Sequence, residues 1–146
     1  MNLTEKIKNQ RLYFDGGSGT YFQARGLKPG EMPEIWNITH AETVKQMHLD
    51  YLKSGSDIIT SNTFGANILK FDGKNGGYSL EEIISSALKN AKDAIKTFGA
   101  HGKYVALDIG PTGRLLKPLG DLDFEDAVKI FAETVKLGVK YGADSP

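Results

Sequence analysis

Cysteine is absent from this chain of 146 residues. That excludes a disulfide scaffold, a cysteine-based zinc site and a thiol nucleophile supplied by these residues. No apolar run approaches the roughly 18 residues that a membrane-spanning helix needs. The first stretch, Met1 to Arg11, is polar and lysine-bearing and lacks the apolar core of a secretory signal. An excess of one charge is also missing, because Lys+Arg and Asp+Glu number 18 each. A zero balance gives no electrostatic reason to expect nucleic acid or a membrane as partner. Together these absences make a cytoplasmic protein the expectation.

What is present is the make-up of one ordinary folded domain. Hydrophobic residues account for 40% and charged residues for 25%, which excludes disorder and collagen-like structure. The length suits one domain and is too short for two independent ones. Glycine is in excess, at 17 residues against roughly 10 expected from ordinary usage. Such an excess marks tight turns or backbone lying close to a ligand.

A strand–loop–helix order repeats along the chain. Leu12-Tyr13-Phe14 reads as a buried strand running into the glycine-rich loop Asp15-Gly16-Gly17-Ser18-Gly19-Thr20. A long connection leads through Gly26, Pro29, Gly30 and Pro33 to Trp36-Asn37, after which Thr39 and Glu42 form a capping-box pattern. Val44, Met47, His48, Tyr51 and Leu52 then share one helix face, and Ser54-Gly55 ends the helix. The second unit is a β-branched strand with its exit loop, Asp57 to Phe64, and a helix opened by Ser79 and Glu82. That helix carries Ile84, Ala87, Leu88, Ala91, Ile95 and Phe98 on its apolar face and stops at Gly99. The third unit runs from Tyr104 to Ile109 and through Gly110-Pro111-Thr112-Gly113. Its helix opens near Asp123, with Val128, Phe131, Val135 and Val139 as the apolar side. Apolar strands alternating with helices predict an α/β fold with a parallel sheet and right-handed crossovers.

Lys53-Ser54-Gly55-Ser56-Asp57 closes the first of these helices, and Lys140-Tyr141-Gly142-Ala143-Asp144 closes the third in the same way. A fourth strand should follow, where Ser145-Pro146 stands. Three parallel strands with two open edges make a poor finished domain. The expectation is therefore the amino-terminal part of something longer. A small three-strand protein that pairs with itself is the alternative.

In parallel α/β architectures ligands bind beyond the carboxyl ends of the strands. Asp15 to Thr20, Thr60 to Phe64 and Asp108 to Gly113 stand at that place. The first loop is neither a Walker A loop nor a G-x-G-x-x-G fingerprint, since Phe22 stands where the third glycine would be. Its amides can cradle an anion or simply make a tight turn. Asp15 can hold a ligand's ammonium group or cap the loop's own amides. Asn62 and Thr63 offer uncharged hydrogen bonds, to a ligand or to local backbone, and Phe64 an apolar wall. Asp108 beside Gly110-Pro111 is either catalytic or a fixture of its loop. His40, His48 and His101 show no metal spacing, and His48, on an apolar helix face, reads as structural. Trp36 reads as packing, with an aromatic lid over a pocket as the alternative.

Taken in order, Asp15-Gly16-Gly17-Ser18-Gly19-Thr20, Pro33-Glu34-Ile35-Trp36-Asn37, Ser61-Asn62-Thr63-Phe64-Gly65-Ala66-Asn67, Asp108-Ile109-Gly110-Pro111-Thr112-Gly113 and Tyr141-Gly142-Ala143-Asp144 resemble a known family. It is the homocysteine S-methyltransferase (homocysteine-binding) domain, as found at the amino terminus of cobalamin-dependent methionine synthase. The resemblance spans about residues 10 to 144. It implies a TIM (β/α)₈ barrel of roughly twice this length, of which residues 1–146 are the first three βα units, truncated before the fourth strand. It also implies homocysteine at the carboxyl-end mouth of the barrel. Asp15, Gly16 and Gly17 match the loop that holds the amino acid end, and Asn62, Thr63, Asp108 and Gly110 match neighbouring positions.

The mechanism implied is thiol alkylation. Zinc binds the homocysteine sulfur as a thiolate, which attacks the methyl group of a donor such as methylcobalamin. The family's zinc is held by three cysteines of the second half of the barrel, and this chain has none. Residues 1–146 are therefore expected to contribute no catalytic residue and no metal ligand, and to be inactive alone. The alternative reading is a non-catalytic half-barrel that self-associates or binds a small molecule. Homocysteine is the expected ligand, and the expected partner is a second copy or a complementing carboxyl-terminal half-barrel.

Overall fold

The computed structural model describes residues 2–75 and 77–145. The chain opens with helix α1 (Leu3–Asn9), started by a capping box between Asn2 and Glu5. The Leu12–Phe14 segment follows, and then a five-residue helix α2 (Gly19–Gln23). A 3₁₀ turn (Pro33–Ile35) leads into the short helix α3 (Trp36–Thr39) and then α4 (Ala41–Lys53). Strand β1 (Ile58–Thr60), helix α5 (Leu80–Phe98), strand β2 (Tyr104–Ala106) and helix α6 (Phe124–Lys140) complete the order.

β1 and β2 pair in parallel, with Ile58 opposite Tyr104 and Thr60 opposite Ala106. Single parallel bridges extend this sheet on both sides, Phe14 to Ile58 and Ala106 to Ser145. Four strand positions therefore lie side by side in chain order. The last is where the sequence repeat places a fourth strand.

Helix α5 forms as its sequence directs. Ser79 and Glu82 cap it reciprocally, and Gly99 closes it in the left-handed conformation at φ 76°. It packs between α4 and α6. Ile83, Ile84 and Leu88 are sealed against Ile59, Val105 and Leu107 of the sheet and against Leu52 of α4. Each such side chain contributes about 1.5–3 kcal/mol, so this layer is the main source of stability. A second cluster, Phe22, Leu27, Trp36, Val44 and Met47, packs the long connection onto α4.

Three expectations are corrected. Leu12-Tyr13-Phe14 is not a buried strand. Only Phe14 bridges to β1, and Tyr13 and Phe14 are 62% and 59% exposed. Among the described residues the segment lies at the sheet edge, with a strand on one side only. Thr39 does not cap α4. Residues 36–39 are themselves helical, so the Thr39 hydroxyl turns back to the Ile35 carbonyl (3.3 Å), and His40 takes the cap position.

The third correction concerns α6, which does not bury Val128, Phe131, Val135 and Val139 as its face. It buries Ala127, Ile130, Thr134 and Gly138. A Cβ on Gly138 would lie 2.4 Å from a Leu107 methyl. Small residues on that side let the helix come closer to the sheet than the valine side could.

Candidate functional site

Because the strands are parallel, Asp15, Ser61 and Leu107 each leave the sheet at the same end. The loops that follow are locked to one another. The Asp15 carboxylate reaches across to β1, accepting from the Thr60 amide (2.8 Å) and the Thr60 hydroxyl (2.9 Å). These bonds run to the neighbouring strand, a partner that neither sequence alternative for Asp15 named. Burial pushes its pKa up and the nearby Asp108 charge adds to that, against the lowering effect of the Thr60 bonds.

Asn62 and Thr63 are both buried. The Asn62 amide donates to the Pro33 carbonyl (2.8 Å), and its own carbonyl accepts from the Asn37 side chain (2.7 Å). The Thr63 hydroxyl donates to the Asp108 carbonyl (2.7 Å). With its proton committed there, Thr63 accepts from the Ser61 hydroxyl (2.7 Å), which in turn accepts from the Asp108 amide (3.2 Å). The ring Asp108 N–H, Ser61, Thr63, Asp108 C=O ties the β1 and β2 exits together. The Asn62 side-chain NH2, the Asn62 backbone carbonyl and the Thr63 hydroxyl thus serve this scaffold.

The glycines divide by what surrounds them. A Cβ at Gly110 would stand 2.2 Å from the Phe64 carbonyl oxygen, so only glycine lets these two loops touch. Gly16 lies against the Tyr51 ring, whose hydroxyl donates to the Gly17 carbonyl (2.7 Å). Gly17 has nothing within 4 Å of a Cβ.

Among the described residues, nothing donates a hydrogen bond to the Asp108 carboxylate. Burial and the Glu34 charge both hold its pKa above the ordinary range. Glu34 escaped the sequence reading. It is 5% exposed and accepts from the Gly65 amide at 2.6 Å. Its signal was available in Pro33-Glu34, since a buried glutamate after proline at a helix start has to find a donor. Asn37 and Asn90 were also missed. Asn90 donates to the Asn37 carbonyl (2.9 Å), and Asn37 donates to the Glu34 and Asn62 carbonyls. Trp36 is buried against Phe22 and stacked by His40 at 4.1 Å, as the packing reading expects.

This geometry presents two carboxylates, Asp15 and Asp108, on polar, glycine-lined strand exits. Carboxylates whose charge is opposed by burial gain most from a cationic group of a ligand. The donor set for a metal is a different matter. Among the described residues no three His, Cys, Asp or Glu side chains are grouped to hold one, and the chain has no cysteine. The residues present do not fit a zinc ion.

Fold and site together define a parallel α/β domain with polar, glycine-rich loops at its strand ends. The chain belongs to the homocysteine S-methyltransferase family, which matches residues 12–145. It is 26% identical over 159 residues to the methionine synthase of Mycobacterium leprae, covering 99% of this chain and 12% of that protein. The fold is similar to that of the homocysteine methyltransferase MmuM from Escherichia coli. The metallated form matches with a TM-score of 0.75 at 19% identity, over 94% of this chain and 53% of that one. The oxidised form matches with a TM-score of 0.77 at 20% identity, over 97% and 53%. The chain thus spans about half the length of those solved structures and about an eighth of the methionine synthase.

Proposed function

We propose that residues 1–146 form the amino-terminal half of a homocysteine-binding (β/α)₈ barrel of the methionine synthase type, acting in the cytoplasm. In this reading the half-barrel holds the amino acid end of homocysteine while the methyl group passes to its thiol. The observation that carries the reading is the pair Asp15 and Asp108, two charge-opposed carboxylates on the strand exits either side of β1 in a family member. Their natural counter-charge is the ligand's ammonium group. Gly17 leaves its side open for it, Gly16 packs on Tyr51 beside it, and Asn62, Thr63 and Gly110 keep the exits in register.

Zinc to bind the thiolate and methylcobalamin as donor are what the resemblance implies. Among the described residues none are grouped to hold the metal, so the share of the work read for this chain is substrate binding. A complementing carboxyl-terminal half-barrel would supply the rest, and the chain alone would transfer no methyl group.

The test is titration of the chain with L-homocysteine, followed by amide chemical shifts. Shifts should concentrate at residues 15–17 and 108–110. Asp15→Asn or Asp108→Asn should weaken binding about tenfold or more, the scale of one charged hydrogen bond. Uniform or absent shifts at saturating ligand would overturn the reading. The second reading, a self-associating module, is favoured by the exposed apolar side chains at both sheet edges.

A further inference from the structure

We propose that Tyr51 is a positioning residue for the ligand: its hydroxyl, held on the Gly17 carbonyl, fixes the Gly17–Ser18 peptide and so aims the Ser18 amide at the carboxylate of homocysteine. This rests on the reading above, in which the loop after Phe14 holds the amino acid end, and names what keeps that loop in shape.

The argument begins on α4. That helix is anchored by Val44, Met47 and Leu52, all buried. The Tyr51 ring packs on the cluster of Phe22, Trp36, Val44 and Met47. An apolar helix face accounts for that ring. It does not account for the hydroxyl, which reaches a residue 34 positions away and donates to the Gly17 carbonyl at 2.7 Å. The residue before it is equally close to the ring. A Cβ on Gly16 would stand 3.0 Å from the Tyr51 hydroxyl oxygen and 3.1 Å from Cε1. Glycine at 16 is what lets the hydroxyl reach 17.

Peptide geometry carries the effect to the other side of the loop. The Gly17–Ser18 bond is trans, since the cis peptide among the described residues is Lys117–Pro118. In a trans peptide the carbonyl and the following amide point in opposite directions. Holding the Gly17 oxygen against α4 therefore turns the Ser18 N–H away from that helix. Among the described residues the bond from Tyr51 is the hydrogen bond this peptide makes, and the Gly17 and Ser18 amides donate to no protein acceptor. Consecutive unpaired amides in a loop suit an anion. Asp15 stands just before them, with a carboxylate whose charge burial opposes and which suits a cation. Carboxylate and ammonium are the two charges at the amino acid end of homocysteine, and both are carried on one carbon centre.

The test compares the whole chain with its variants by amide-shift titration. The ligands are L-homocysteine, 3-aminopropane-1-thiol, which lacks the carboxylate, and 4-sulfanylbutanoate, which lacks the amino group. Tyr51→Phe keeps the ring on Gly16 and removes the bond. It should bind L-homocysteine and 4-sulfanylbutanoate about fivefold more weakly, the scale of one neutral hydrogen bond. It should bind 3-aminopropane-1-thiol as tightly as wild type. Tyr21→Phe removes another hydroxyl packed on the same cluster, bonded to Asp50 at 2.7 Å, and should bind all three like wild type. Without ligand, nitrogen-15 relaxation of Tyr51→Phe should show the Gly17 and Ser18 amides more mobile while α4 stays rigid. Should Tyr51→Phe unfold, Gly16→Ala takes its place, because it pushes the hydroxyl off its acceptor, and the same pattern is expected. Unchanged loop mobility, unchanged binding, an equal loss for all three ligands, or the same loss in Tyr21→Phe would overturn the positioning role and leave the proposed function standing. A wild-type chain that binds none of the three would overturn both.

Discussion

The hydroxyl of Thr63 donates to the carbonyl of Asp108 at 2.7 Å, joining the exits of β1 and β2. Through Ser61 the bond returns to the Asp108 amide. The carboxylate of Asp108 is therefore aimed by its own backbone, which is held at both its amide and its carbonyl.

Thr63→Val keeps the shape of a side chain that is fully buried and removes that ring. The Ser61 hydroxyl loses its acceptor and the Asp108 carbonyl its donor. Removing one partner from buried polar groups costs about 1–3 kcal/mol. The urea midpoint should fall accordingly with the slope unchanged. A midpoint equal to wild type would mean that the ring is not a structural tie.

Gly110→Ala and Gly17→Ala should part company. The first forces a methyl group to 2.2 Å from the Phe64 carbonyl oxygen, while the second meets nothing within 4 Å. Overpacking costs about 1–3 kcal/mol, so Gly110→Ala should lower the thermal midpoint by several degrees. Gly17→Ala should stay within about 0.5 kcal/mol of wild type, as open surface positions do.

His48 sets a pH dependence. Its ring is fully buried, neither nitrogen has a partner, and burial lowers its pKa to about 4. In the unfolded chain it binds a proton near pH 6.5, so between 6.5 and 4 the unfolded state holds more protons and stability rises with pH. Lowering the pH from 6.5 to 4 should thus remove roughly 3 kcal/mol. Asp15 and Asp108, raised by burial, act the other way and weaken the fold as they ionise. Chemical unfolding across this range should show the His48 slope, and His48→Leu should abolish it.

Glu34→Gln separates charge from scaffolding at the site. Glutamine keeps an oxygen for the Gly65 amide and removes the charge that raises the Asp108 pKa. Carbon-13 titration should show the Asp108 carboxyl moving down while stability holds. An unmoved Asp108 would mean that burial alone raises it.

Ser79→Ala should cost about 1 kcal/mol through loss of the helix cap. Thr39→Ala should cost less, because Thr39 caps nothing. The two share the same four-residue pattern in sequence, so the difference between them measures context. Thermal denaturation of both variants gives it directly.

Helix α5 was legible because its signals are local. Its cap, its apolar spacing and its terminal glycine all lie within one helix and its flanks, and the layer it forms with β1 and β2 follows from apolar alternation. The three strand exits were legible for the same reason, since a parallel order puts Asp15, Asn62, Thr63, Asp108 and Gly110 at one end. Glu34 was not, because its donor is the Gly65 amide, 31 residues away. The inward face of α6 was not legible either. Both sides of that helix are apolar, and the choice between them fell to the close approach of Gly138 to Leu107.

The residues by themselves thus determined the α/β order, the helix ends and the family to which the chain belongs, because periodicity and capping act over a few residues. Only the tertiary structure decided which way α6 faces, that Phe14 is an edge, and that the Asn62 side-chain NH2 and the Thr63 hydroxyl serve the scaffold. Each of these depends on what another segment brings within van der Waals or hydrogen-bond reach, and no short stretch of sequence encodes that.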